Sequence, residues 1–241
     1  PVQSGKAVTV FHIENVHLWD GMADPYLYSI AASLPGGDAV AVHFGCRKID
    51  FKPDTGFWLN GRNIRLVGAA RHQDRAEIGN ALTAAEHEED MQLLRDMGAN
   101  TVRLAHYQHA QYFYDLCDKY GLVAWAEIPY ITEHMPEATA NTLSQMEELV
   151  LQNYNHPSII CWGLSNEITV TTGVTEDLTA NHRLLNDLCH RLDATRPTTM
   201  AHAFMLDPND PFVQLPDICS YNLYYGWYLG ELQQNDDFFD T

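Results

Sequence analysis

Few positions in this chain place a titratable or amide side chain directly after an apolar run. Asn166-Glu167 does so most sharply, because Ile159-Ile160-Cys161-Trp162-Gly163-Leu164 before it is apolar enough to be wholly buried. A carboxyl whose pKa is raised by apolar neighbours can protonate a leaving glycosidic oxygen at neutral pH. The plainer use of Asn-Glu is to cap a following helix. Comparable positions are His72-Gln73-Asp74, Arg103 with His106-Tyr107, Glu127, His202 and Asn222-Leu223-Tyr224-Tyr225. Carboxylates, amides, imidazoles and aromatic rings together suit a polyol. Hydroxyls need many donors and acceptors, and a sugar's C–H face stacks on Trp or Tyr.

Such residues act together only if the fold gathers them. From Gly56 onward strand-like and helix-like segments alternate. Thr83-Ala84-Ala85-Glu86 reads as a capping box; Met91, Leu94 and Met97 follow on one helical face, and Gly98 suits the C′ position. Thr101–Ala105 is the next strand. A helix from about Ala110 turns Phe113, Leu116, Cys117 and Tyr120 inward and stops at Gly121. Leu122–Ala126, Ser158–Leu164, Thr199–Ala203 and Asp217–Tyr221 read as strands, Thr142–Tyr154 and Glu176–Ala194 as helices, and Tyr228–Leu232 as the start of another helix. This alternation predicts a parallel sheet, doubly wound or closed as a (β/α)8 TIM barrel. No GxGxxG or GxxxxGK[ST] follows a strand, so the nucleotide-binding form loses ground. In a barrel, every position named above falls at the carboxyl ends of the strands, where barrel active sites lie.

Residues 1–52 carry no helical period. Val8–Phe11 and Ala39–Phe44 are β-rich, with Gly36-Gly37-Asp38 as a turn, and the stretch reads as part of a β-sandwich. Asn60-Gly61 predicts a hairpin between Phe57–Leu59 and Ile64–Val67. The expected division is therefore residues 1–52, a partial sandwich, and residues 53–241, a barrel. About six βα units are countable where a full barrel has eight, so the barrel is expected to be truncated before its seventh strand.

The net charge of −18 argues against nucleic acid and against an anionic membrane surface; a neutral sugar is compatible with it. The longest apolar run falls short of the ~20 residues of a membrane-spanning helix. Cys46, Cys117, Cys161, Cys189 and Cys219 are scattered and odd in number; read as buried free thiols, they lean toward a reducing, cytoplasmic compartment. The opening Pro1-Val2-Gln3-Ser4-Gly5 lacks Met and reads as a cut inside a longer protein, so the compartment stays open. Twelve histidines raise a metal hypothesis, with His106 near His109 and His182 near His190, but no HExxH or similar ligand set is present. The acidic run Glu86–Asp90 reads as a solvated helix N-terminus. Asp74 fits either a helix cap or a pocket carboxylate, and the aromatic run ending in Trp227-Tyr228 either core or a sugar platform.

Trp162-Gly163-Leu164-Ser165-Asn166-Glu167, introduced by Asn155-His156-Pro157-Ser158, resembles the acid/base motif of glycoside hydrolase family 2. Gly56–Gly61, Gly68–His72, Gly98–Tyr107 and Asp118–Leu122 resemble further family segments in the same order, and Leu18-Trp19-Asp20, Pro25–Tyr28 and Phe44–Arg47 resemble the end of its immunoglobulin-like sandwich. The resemblance implies a β-galactosidase-like enzyme that acts by double displacement with retention, with β-glucuronidase, β-mannosidase and a non-catalytic sugar-binding fragment as alternatives. A low Arg and Lys total, 14, leans against the glucuronidase. By resemblance Glu167 is the acid/base and Asn166 holds the sugar 2-hydroxyl. Arg103 lies beneath the nucleophile, Tyr224 hydrogen-bonds the nucleophile, and His106 and His134 match histidines that line the sugar pocket. His72, Asp74 and Trp227 are further candidate sugar-binding positions from the strand-end reading. Glu127 gives support from behind. The family nucleophile is a Glu on the seventh strand, which is expected after Thr241, so the chain alone is expected to be inactive. Some members use magnesium, whose ligand pattern finds no match here; no cofactor is expected, and a homo-oligomer is possible within the family.

Overall fold

Six strands stand side by side in chain order in a wholly parallel sheet: β6 (Gly68–Arg71), β7 (Thr101–Leu104), β8 (Val123–Glu127), β9 (Ile159–Asn166), β10 (Thr198–Ala203) and β11 (Ile218–Asn222). The computed structural model describes residues 5, 7–234 and 237. Helices α1 (Ala84–Asp96), α2 (Gln111–Tyr120), α3 (Thr139–Asn153) and α4 (Glu176–Leu192) follow β6 to β9 in turn. This is an open arc of a (β/α)8 barrel, six strands where the closed form has eight. Expectations that concern Pro1–Ser4 and Thr241 fall outside the described residues.

Sequence-local chemistry sets the element ends. Thr83 and Glu86 make the reciprocal capping box at the start of α1. Gly121 closes α2 in the left-handed region, φ 77°, and a Cβ there would lie 2.3 Å from the Gly21 backbone. Two constraints therefore demand glycine. Phe113, Leu116 and Cys117 of α2 are buried, with Tyr120 packed partly against the same core. Each such Leu or Phe stabilises by about 1.5–3 kcal/mol on burial. The main core lies between helices and sheet, from Met91 and Leu94 to Trp162 and Leu185.

Before the arc, β1 (Tyr28–Ser33) and β2 (Ala39–Phe44) pair antiparallel, with Tyr28 opposite Phe44. β3 (Ile49–Lys52), β4 (Gly56–Leu59) and β5 (Arg62–Asn63) form a separate antiparallel sheet, so pairing runs across residue 52. Asn60 and Gly61 both have positive φ, 51° and 81°, as a tight primed turn requires. Phe57 and Leu59 pack with Val123 and Ile160, so this sheet covers the amino ends of β8 and β9. The opposite end of the arc is left for the site.

Several expectations need correction. Met97 is 62% exposed: it is the C-cap of α1, beyond the turn that Met91 and Leu94 bury. Val8–Phe11 are exposed and join no strand. The second strand of the Asn60-Gly61 hairpin is only Arg62–Asn63; Ile64–Val67 lead instead into β6. Residues 226–233 form turns rather than a helix start, with Tyr225 bridging Leu229. Cys219 is exposed and Cys46 only half-buried; Cys117, Cys161 and Cys189 are buried, and all five are free. Cys219 sits on β11, an edge strand of the described sheet.

Candidate active site

Every residue of β9 is buried, as a strand covered on both faces must be. Glu167 then leaves the strand in the left-handed region, φ 45°, a conformation that costs a non-glycine residue about 1–2 kcal/mol. Flanking hydrogen bonds hold it there. The Glu167 amide donates to Ala201 O at 2.8 Å, and the Asn166 amide donates to Tyr130 O at 2.9 Å. No helix follows directly: α4 starts at Glu176, capped by Thr175. The capping role for Asn166-Glu167 is thus excluded.

Arg103 gathers the strand ends. Its Nε and Nη2 donate to the two carboxylate oxygens of Glu127, each at 3.1 Å, its Nη1 to Asn222 Oδ1 at 3.0 Å, and its Nη2 to Asn166 Oδ1 at 2.7 Å. Asn222 Nδ2 donates to the same Asn166 oxygen at 2.9 Å. The guanidinium also lies over Trp125, 4.6 Å from the ring. Residues from β7, β8, β9 and β11 are locked in one network. Glu127, 1% exposed, lies with Oε1 2.6 Å from His106 Nδ1, and this contact fixes the ring beside the network. Gly163 makes room for this arrangement: a Cβ there would lie 2.4 Å from Glu127 Cβ and 2.5 Å from Trp125 Nε1.

Tyr224 donates to Glu167 Oε1 at 2.7 Å. Burial first, and then that bond, push its phenol up to about 12, so it is a neutral donor at ordinary pH. Among the described residues the hydroxyl meets the acid/base candidate, because the turn after β11 sets it beside Glu167; the expected bond to the nucleophile concerns a residue outside the described ones. Trp227 is 79% exposed and contacts Tyr228 edge-on.

The remaining predicted residues lie around this network. His72 is exposed and meets the His106 ring at 5.2 Å. Asp74 is also exposed, on an open pocket with Arg71 and Asp90, outside the Arg103 network. His134 is buried with Nδ1 against Tyr130 Oη and Nε2 without a partner among the described residues. His202 is buried against Phe212 and Tyr221, and burial lowers its pKa to about 4. Sequence reasoning named Asn222 among the strand-end positions without giving it a role, and passed over Trp125. The histidine pairs do not converge on a metal: His109 meets Arg71, His182 meets Ser165, and His190 meets Asp217. Among the described residues only Asp115, Asp118 and His156 lie close enough to share an ion, and they belong to none of those pairs.

A parallel barrel arc with an amide-carboxyl pair at the end of its fourth described strand, cross-linked by one arginine, defines a strand-end active site of the βα-barrel class. The chain belongs to glycosyl hydrolase family 2: that family's TIM barrel domain matches residues 52–238. It is 42% identical over 229 residues to a β-glucuronidase of Bacteroides fragilis, covering 90% of this chain and 32% of that protein. It is 35% identical over 203 residues to a β-galactosidase of Thermoanaerobacterium thermosulfurigenes, covering 80% of this chain and 27% of that protein. The solved FMN-binding β-glucuronidase from Facaelibacterium prausnitzii L2-6 superposes with a TM-score of 0.90 at 43% identity, over 94% of this chain and 36% of that one. The chain spans about a third of the length of these relatives.

Proposed function

We propose that this segment carries the acid/base half of a retaining β-glycosidase that removes terminal β-linked sugars. The observation that supports it is the aim of Asn166-Glu167: two donors, Arg103 and Asn222, fix the Asn166 amide oxygen, which leaves Asn166 Nδ2 to donate to a sugar hydroxyl beside Glu167. In the first step Glu167 protonates the bridging oxygen as the glycosidic bond breaks; in the second it takes a proton from the attacking water. Retention needs a second carboxylate roughly 5–5.5 Å away. Glu127 is not that group, since both its oxygens are engaged by Arg103 and one by His106. We assign the nucleophile to a strand that closes the barrel beyond β11.

For the sugar we propose a β-D-glucuronide, with a β-D-galactoside as the second reading. The relative at 42% identity is named a β-glucuronidase and the one at 35% a β-galactosidase. The low total of Arg and Lys does not oppose a uronide, because one bidentate cation or a few amides suffice to hold a carboxylate. The test is hydrolysis of a nitrophenyl β-glycoside panel by the whole protein and by Glu167→Gln. The expected result is turnover of the glucuronide or galactoside and a loss on Glu167→Gln of roughly 100-fold or more with a poor leaving group. Turnover that is unaffected by Glu167→Gln would remove the proposal.

A further inference from the structure

We infer that His182 of α4 is a positioning residue for the acid/base, acting through Ser165, and this rests on the reading of Glu167 given above. His182 is fully buried, and both ring nitrogens are engaged. Nδ1 lies 2.9 Å from Leu178 O, which can only accept, so Nδ1 carries the proton. Burial lowers the pKa of this ring far below its ordinary value, to about 3, so it is neutral and Nε2 is bare. Ser165 Oγ, 2.8 Å from Nε2, must therefore donate its hydroxyl proton to the imidazole. One tautomer satisfies every partner.

The ring itself cannot slide. Tyr130 stacks on it at 5.1 Å with planes 23° apart, and Phe212 meets it edge-on at 5.0 Å. The Tyr130 carbonyl in turn accepts the Asn166 amide, and Asn166 O accepts from the Thr132 amide at 3.2 Å. The residue before Asn166-Glu167 is thus tied to α4 by its side chain, and Asn166 is tied to the segment after β8 by its backbone. Glu167 needs such restraint because its backbone sits in the disfavoured left-handed region. Release of Ser165 lets the strand end relax and moves the carboxyl from its working place.

The test is a comparison of leaving groups in the whole protein carrying Ser165→Ala, His182→Asn or His182→Gln, with Glu167→Gln as control. A displaced acid hurts substrates that need protonation and spares those that do not. Ser165→Ala and His182→Asn should lower kcat/KM for a phenyl or alkyl β-glycoside by about 10- to 100-fold, and for the dinitrophenyl glycoside by less than about 3-fold. His182→Gln can place an amide oxygen where Nε2 stood and should restore most of the loss. General damage to folding would lower both substrates alike and would not respond to Gln over Asn. If the His182 variants fail to fold, Ser165→Ala, which removes one oxygen, decides alone. Equal losses on the two substrates, or none, with Ser165→Ala overturn the inference while the leaving-group dependence of Glu167→Gln persists. If Glu167→Gln itself shows no such dependence, the acid/base reading falls, and this inference with it.

Discussion

The hydroxyl of Tyr224 donates to Oε1 of Glu167 at 2.7 Å and so links the turn after β11 to the end of β9. Its phenol, pushed up to about 12, stays protonated through any assay pH, so this donor does not switch off as conditions change. An ordinary intramolecular hydrogen bond contributes about 0.5–1.5 kcal/mol. Tyr224→Phe should therefore lower kcat/KM by roughly 2- to 10-fold. Equilibrium unfolding should move by less than about 1 kcal/mol, since the residue lies on a partly exposed turn. An unchanged kcat/KM would show that the contact does not contribute to turnover.

Arg103 and Glu127 form the pair on which the rest of the network leans, with side chains 16% and 1% exposed. Removing one charge of a buried pair costs about 3–5 kcal/mol, because the other is left uncompensated. Glu127→Gln should lose stability on that scale in urea unfolding, and should also raise KM as Asn166 loosens. Arg103→Lys is not a mild change either, because a single ammonium cannot reach Glu127, Asn166 and Asn222 together. A stability loss below about 1 kcal/mol for Glu127→Gln would contradict this account.

Gly163 is tested by the smallest substitution available. An added Cβ would press on both Glu127 and Trp125. Overpacking of this kind typically costs about 1–3 kcal/mol. Because both neighbours touch Arg103, Gly163→Ala should also depress kcat, and a double mutant with Glu127→Gln should lose less than the sum of the single changes. Strict additivity in that cycle would separate Gly163 from the network.

The sequence carried the barrel because each βα unit repeats the same local chemistry: Thr83 caps, Gly121 ends a helix, and β8 and β9 read as fully buried runs. Asn166, Glu167, Arg103 and His106 were legible from their places at strand ends. What stayed hidden depends on three-dimensional pairing. Nothing in the local pattern tells that Ser165 meets His182, 17 residues on, or that Asn222 meets Arg103, 119 residues back. Met97 was misread because helical periodicity continues past the point where the packing partner stops. Asp74 and Trp227 keep their polar and aromatic character but reach none of the partners that Arg103 gathers.

Three histidines predict how stability responds to acid. Burial is the first cause in each case and lowers His109 and His182 to about 3 and His202 to about 4, against an unfolded value near 6.5. Below pH 6.5 the unfolded chain binds protons at these rings that the folded chain refuses, so stability falls as pH falls, until the folded pKa values are reached. The slope is about 1.4 kcal/mol per pH unit for each ring. Urea unfolding at pH 7.0, 6.0 and 5.0 should give little change at first and then a steep decline. His202→Phe, which keeps a ring against Phe212 and removes one titrating group, should reduce the slope between pH 6 and 5 by about 1.4 kcal/mol per unit. A flat profile across that interval would mean that these rings are protonated in the folded protein, and the single His182 tautomer that orients Ser165 would no longer follow.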